Sequence, residues 1–393
     1  MFGRSDMGIK QIIDSTRVPV KIWTDNIEQA ALEQAMALAN VMPVASHVAL
    51  MPDVHLGKGM PIGGVLPLRN AVSPNCVGVD IGCGVLAVKT SLKSVERRVL
   101  GRIFREIRKR IPVGIRGRRK NGQMAEWSGF DSVPDIPAVK KELKNARSQL
   151  GTLGAGNHFI EIQKGDDGHI WWMIHSGSRN PGFRIADFYH KLALQRGIVP
   201  EGRKQLAYFD IDSPEGREYF AAMNFCLGFA LANRRVMSRD VRDAFALWLD
   251  FQVLDEINIH HNYAARYVLA NGEEVILHRK GATEATVDTV GIVPGSQGSS
   301  SFIVRGRGEP ESFCSCSHGA GRRLSRTMAK KLLDVDKCVA AMKRMGLECD
   351  KNRFPLDEAM EAYKDIMQVM ADQDDLVETV AELRPYKYPA IKG

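Results

Sequence analysis

Apolar and polar positions alternate along this chain with two periods. Residues 94–111 carry the clearest helical one: Val95, Val99, Leu100, Ile103, Phe104, Ile107 and Ile111 form a buried stripe. Arg97, Arg98, Arg102, Arg105, Arg108, Lys109 and Arg110 occupy the opposite face. Residues 25–40 read as a second helix, with Ile27, Ala31, Leu32, Met36 and Leu38 on or near one side, and residues 214–249 as a largely helical scaffold around Phe220, Met223, Leu227, Phe229 and Leu231. Residues 44–50 and 84–90 read as strands, as do the apolar runs after His158 and before His175. The final third alternates glycine turns with short strands, followed by helices from Ser325 onward. Strands and helices mix without a regular βαβ rhythm, which predicts an α+β fold.

Composition narrows the class. The chain has 393 residues, 44% hydrophobic and 25% charged, ordinary values for a globular protein. A net charge of +8 favours a polyanionic partner. Seven irregularly spaced cysteines suit reduced thiols better than a disulfide framework. No uncharged apolar run would span a bilayer, and the first six residues lack the apolar core of a signal peptide. The expectation is a cytoplasmic protein. Between Arg97 and Lys120 eleven basic residues face a single Glu106, and the segment with Arg116, Arg118, Arg119 and Lys120 closes the densest basic patch, as a phosphate-tracking surface requires.

Chemistry concentrates in glycine-rich turns. In Cys314-Ser-Cys-Ser-His-Gly-Ala-Gly-Arg322, Gly319 and Gly321 let backbone approach a ligand, and Arg322 can pair with a phosphate. Asp80-Ile-Gly-Cys83 places a carboxylate and a thiol three residues apart. Gly154-Ala-Gly-Asn-His158 opens one apolar run, and His175 ends another. His260 and His261 stand in tandem, and only one of them can point into a site, because neighbours on an element diverge. One Asp, one Cys and three His suit Mn²⁺, Zn²⁺ or Fe²⁺, and one thiolate can bridge two ions. The ligands are scattered from residue 80 to residue 318, which predicts one interwoven domain over 1–393.

These segments resemble the RtcB family of RNA ligases, which join RNA ends using GTP. Met51-Pro-Asp-Val-His-Leu-Gly-Lys-Gly59, Pro294-Gly-Ser-Gln-Gly298, Ala362-Tyr-Lys-Asp-Ile366 and Lys392-Gly393 extend the resemblance from about Val18 to the last residue. It implies an RtcB-type fold and two Mn²⁺ ions. Cys83 would bridge them, with Asp80 and His158 on one and His175 and His261 on the other. It implies His318 as the nucleophile that takes GMP from GTP. Asn157, His158, Phe159, Ile160, Glu161, His261, Asn262, Pro294, Gly295, Ser296, Gln297, Ser301, Gly319, Ala320, Gly321, Arg322, Tyr363 and Lys392 would surround the nucleotide. Glu161 and Lys392 would read the guanine edge, and Arg179 and Arg322 would contact phosphates. The implied substrate is RNA with a 3′-phosphate or 2′,3′-cyclic phosphate joined to a 5′-hydroxyl. Gln297 stands where many relatives carry Met, and the basic stretch 116–120 departs from close relatives. This reading accommodates tRNA, mRNA or rRNA as the RNA, with or without an activating protein partner and in any oligomeric state.

Two other classes use similar residues. A two-metal phosphoesterase or nuclease would employ the same ligands with water as nucleophile and His318 as general acid. An RNA-binding module with a structural metal is disfavoured, because structural zinc sites are closed and usually Cys-rich. The Lys-x-Asp-Gly pattern of lysine nucleotidyltransferases is absent, and Lys164-Gly-Asp-Asp-Gly168 is a near miss.

Overall fold

The computed structural model describes residues 8–120 and 124–393; the six N-terminal residues read above lie outside it. Two sheets dominate. The first has six strands in the order Gln11–Ile13, Val20–Ile22, Val48–His55, Ile62–Leu68, Glu274–Lys280 and Asn262–Val268. The second runs Val253–His260, Gly84–Thr90, Ile170–Ser176, Phe159–Gly165, Val377–Pro385, Ser301–Gly306 and Val290–Val293, with Ile391–Lys392 pairing Phe159–Gly165 as well. Nearly all pairings are antiparallel, so the α+β class holds.

The second sheet positions the site through its two-residue side-chain period. Ile160, Ile162, Trp172, Ile174, Leu86 and Val88 face one way. They pack on Leu100, Ile103 and Ile107 of the basic helix and on Val241 and Phe245 of the helix Pro214–Ala246. Each such buried aliphatic side chain contributes about 1.5–3 kcal/mol of burial. Phe159, Trp171, Met173, Val85 and Ala87 face the other way and meet Ile303, Ala381 and Leu383 of the same curled sheet. His175 and Glu161 belong to this second face. A further core cluster, with Trp23, Met51 and Val65 against Val293, Cys316 and Ala320, joins the first sheet to the segment bearing His318.

Several predicted boundaries shift. The basic helix covers Arg97–Arg110 and the first helix Gln29–Val41. The strand expected at 44–50 runs Val48–His55, and its pairing slips between Leu50 and His55. Residues 51–54 are therefore bulged out of the ladder and buried on both sides, which erases alternation. The region after Ser325 contains the helices Arg326–Leu332, Val335–Arg344 and Ile366–Ala371, then returns to the sheet as Val377–Pro385. Val304 pairs with Thr379 and Ile303 with Ala381, skipping Val380, so the period-two signal breaks there. No helix among the described residues is long and apolar enough to cross a membrane, and all seven cysteines are unpaired.

Candidate active site

Five donor groups from four separate segments converge. Cys83 Sγ lies 3.2 Å from His175 Nε2 and 3.6 Å from His158 Nε2. His158 Nε2 is 2.9 Å from Asp80 Oδ2, and His175 Nε2 is 3.4 Å from His261 Nε2. Two groups capable of holding an ion result: Asp80, Cys83 and His158, and Cys83, His175 and His261, with the thiol common to both. Of the tandem pair, His261 turns inward. His260 turns away, to the Gly82 carbonyl and the Arg234 guanidinium.

The imidazoles are oriented from behind. His158 Nδ1 sits 2.9 Å from the Leu153 carbonyl and His175 Nδ1 3.2 Å from the Asn157 carbonyl, so each ring donates outward and aims the Nε2 lone pair inward. Burial drives His175 and His261 well below the ordinary histidine range, helped by the neighbouring charges of His158 and His318 respectively. Burial and the Asp80 carboxylate push the Cys83 thiol well up. Burial also raises Asp80, but the His158 hydrogen bond and the Arg179 guanidinium outweigh it and hold the carboxyl low. Lone pairs, a thiol and a carboxylate converging within contact distance repel unless a cation sits among them. The donor set thus fits a metal pair, with mixed N, O and S ligands suited to a borderline divalent ion.

Two buried residues of the helix Pro214–Ala246 brace the ligand-bearing turns, and nothing in the sequence singled them out. Arg234 donates to the Gly82 carbonyl at 3.0 Å and the Ser176 carbonyl at 2.8 Å, tying the Cys83 turn to the end of the His175 strand. Asn233 accepts from the Gly151 and Thr152 amides and donates to Gly177. Burial lowers Arg234 to about 10, with the Cys83 and Asp80 charges opposing.

His318 stands beside this cluster, its ring centroid 4.8 Å from that of His261. Its Nδ1 is 2.5 Å from Oδ2 of Asp53, which is fully buried, and its backbone amide donates to the same oxygen at 3.0 Å. Asp53 sits in the bulged segment of its strand. The sequence motif around it was visible, but its partnership with His318 was not. With Nδ1 engaged, Nε2 is left without a hydrogen-bond partner among the described residues. Close backbone packing sets this loop: a Cβ at Gly321, where φ is +71°, would fall 2.3 Å from the Asp53 carbonyl.

The remaining expected residues gather around the loop in two ways. The Ala320 amide donates to Pro294, and Gly319 packs on the same residue. The Gly295 amide donates to Ser301 Oγ, which receives Gln163 Nε2; Gln163 also donates to Glu161 at 2.7 Å. Ser296 shares hydrogen bonds with Ser299. Burial pushes Glu161 up to about 7, with the Lys392 charge opposing. Lys392 lies 5.0 Å over the Phe159 ring and donates to Glu358 at 3.3 Å. Glu358 also accepts from the Tyr363 hydroxyl at 2.6 Å and pairs with Arg322 and Arg326. Buried Glu358 is therefore the hub holding Arg322, Tyr363 and Lys392, a role the sequence did not disclose. Asn262 spends both ends of its amide on loop bracing, to the Asp80 carbonyl and from the Gly281 amide. The side chain of Ile160 points into the core, away from Glu161. Arg179, at a positive φ of 59°, lies 3.3 Å from His158 Nδ1 and presses on Gly154.

The sequence matches known proteins along most of its length. The family model described as tRNA-splicing ligase RtcB matches residues 34–388. The chain belongs to the RtcB family. It is 40% identical to the RNA-splicing ligase RtcB1 of Escherichia coli ATCC 25922, over 95% of this chain and 98% of that one. It is 39% identical to the RNA-splicing ligase RtcB of Escherichia coli K12 over the same shares. The tRNA-splicing ligase RtcB of Nanoarchaeum equitans is 31% identical across 96% of this chain and 95% of its own. The family match covers every segment that lines the site except the final strand.

Proposed function

We propose that this RtcB-family chain is an RNA ligase joining 3′-phosphate or 2′,3′-cyclic phosphate ends to 5′-hydroxyl ends, consuming GTP and using two Mn²⁺ ions held by Asp80, Cys83, His158, His175 and His261. The observation that carries the reading is the His318–Asp53 pair beside the ligand cluster: a histidine held at Nδ1 by a buried carboxylate has its Nε2 electron pair available for attack. His318 Nε2 attacks the α-phosphorus of GTP, a P–N bond forms and pyrophosphate leaves. A cyclic RNA end is first opened by water. An oxygen of the RNA 3′-phosphate then attacks the guanylyl phosphorus and frees the imidazole. The 5′-hydroxyl attacks the activated 3′-phosphorus, giving a phosphodiester and releasing GMP. Asp53 keeps the imidazole oriented and stabilises positive charge on it while the P–N bond exists. The ions would supply charge neutralisation at the phosphates.

Around the nucleotide, Glu161 accepts from guanine N1–H and its exocyclic amine, a pairing that adenine cannot offer. Lys392, Tyr363, Arg322 and the Pro294, Gly295, Ser296 and Gln297 turn enclose the rest. The proposal includes one domain over 1–393 and a cytoplasmic location, where seven unpaired cysteines are at home.

The test is incubation with α-labelled GTP and Mn²⁺ followed by denaturing electrophoresis. Wild-type chain should carry label and His318→Ala should carry none. Labelling of His318→Ala at the normal level, or RNA that is shortened but never joined, would sink the reading.

A further inference from the structure

The basic helix Arg97–Arg110 and the loop after it lie beside the site, and no step above uses them. Arg98, Arg102, Arg105 and Lys109 recur at intervals of four, three and four residues, so they share one exposed face about 16 Å long. Lys109 and Arg110 share Glu106, and Arg97 pairs with Glu348. Arg98, Arg102 and Arg105 have no carboxylate partner among the described residues. Arg105 also lines a cavity of about 270 Å³ whose other walls include Tyr388, Gln297 and Lys392.

At its far end the helix feeds a loop pinned to the ligand turn. The Gly114 amide donates to the Gly154 carbonyl at 2.6 Å and the Leu153 amide to Pro112 at 3.0 Å. Gly154 opens the turn bearing Asn157 and His158. Arg119 is the anchor: it pairs with Asp240 and donates to the Leu150 and Gly151 carbonyls. This overturns its expected place in a phosphate-tracking surface, since its side chain is only 9% exposed. Among the described residues Arg118 bonds only to the carbonyls of Ile115 and Gly117, and Arg116 is exposed.

We propose that Arg98, Arg102, Arg105, Arg116 and Arg118 form one phosphate-binding track for single-stranded RNA, running from the cavity beside Lys392 to the rim of the His158 turn. This rests on the RNA-ligase reading and adds to it the surface that delivers the strand. Unneutralised guanidiniums in a line, converging on two edges of one site, match a polyanion's backbone and carry no base specificity.

The experiment measures binding of an RNA of about 20 nucleotides with a 3′-phosphate, by fluorescence anisotropy across a salt series. Arg98→Gln, Arg102→Gln, Arg105→Gln, Arg116→Gln and Arg118→Gln are combined in one variant. The log–log salt slope should fall by about 0.7 for each engaged residue, and the KM for this RNA should rise about tenfold or more with kcat held. His318 guanylylation should be unchanged. Arg102→Glu with Arg105→Glu gives a smaller variant that should show the same sign. A control with Arg235→Gln, Arg239→Gln and Arg242→Gln on the helix Pro214–Ala246 removes three positive charges elsewhere, against five in the track variant and two neutralised and reversed in the smaller one, and should keep the wild-type slope. An unchanged slope in the track variant, or an equal fall in the control, overturns the proposal. Wild-type chain that binds RNA with the track-dependent slope but joins no ends would overturn the ligase reading and leave the track standing.

Discussion

Asp53 and His318 are 265 residues apart and share one short hydrogen bond. Asp53→Asn preserves volume and removes the charge that holds the imidazole. We expect guanylylation to fall by roughly 10²–10⁴-fold with little change in melting temperature, read by rapid-quench labelling and calorimetry. Glu161 supplies a second residue-scale test. Its carboxyl rises from the ordinary 4.5 to about 7 because it is buried. The folded state therefore binds that proton more tightly: the contribution to stability is complete below the unfolded value and is lost as pH rises through about 7. On the proposed function, guanine binding would need the carboxylate and would run the other way. In His318→Ala protein, GTP affinity measured by calorimetry should weaken as pH falls through 7, and Glu161→Gln should flatten that profile. A profile identical in both proteins would remove Glu161 from guanine recognition. The convergence of Asp80, Cys83, His158, His175 and His261 was legible through the motifs that carry the family resemblance; glycine adjoins Cys83 and His318, but none stands near His261. Asp53, Arg234 and Glu358 were not, because each is defined by a partner remote in the chain, and a carboxylate or guanidinium carries no local mark of being buried.

At the scale of elements, the period of the apolar positions located three helices to within a few residues and the central strands nearly to the residue, but gave no sign of the helices Pro137–Gln149 and Arg179–Arg196. It failed where a ladder bulges, at Val48–His55 and Val377–Pro385, since an inserted residue flips the facing pattern. The basic loop shows a different limit: charge density marked Arg119 as surface, whereas Asp240 and two carbonyls claim it. Arg119→Met should cost about 2 kcal/mol in urea denaturation by leaving the Asp240 carboxylate unpaired. RNA affinity should track the folded fraction only, and a loss of affinity without a loss of stability would restore Arg119 to the binding surface. Arg234→Met should loosen the Cys83 turn from the His175 strand. We expect metal affinity to drop about 10–100-fold by competition with a chelating dye, as for other groups that orient ligands.

For the molecule as a whole, the donors come from segments at 80–83, 158, 175 and 261, so bound ions would cross-link four parts of the chain. Folded protein at about a hundred times the dissociation constant should gain about 2.7 kcal/mol for each bound ion relative to chelated protein. Differential scanning calorimetry with Mn²⁺ and then excess chelator should show the melting temperature fall. Cys83→Ala, lacking the donor common to both groups, should show almost no metal-dependent shift. An equal shift in Cys83→Ala and wild type would argue that the thiol is not shared.

The distance along the chain between Asp53 and His318 also sets an order of events in the cell. At roughly 5–20 residues per second, the 265 residues between them take roughly 13–53 s to synthesise. Through that interval the carboxylate has emerged and the imidazole has not. On the proposed function, a chain that has not yet reached His318 cannot charge itself with nucleotide. Covalent guanylate would then be a census of molecules whose two sheets have docked, and a pulse of labelled nucleotide during refolding would time that docking directly.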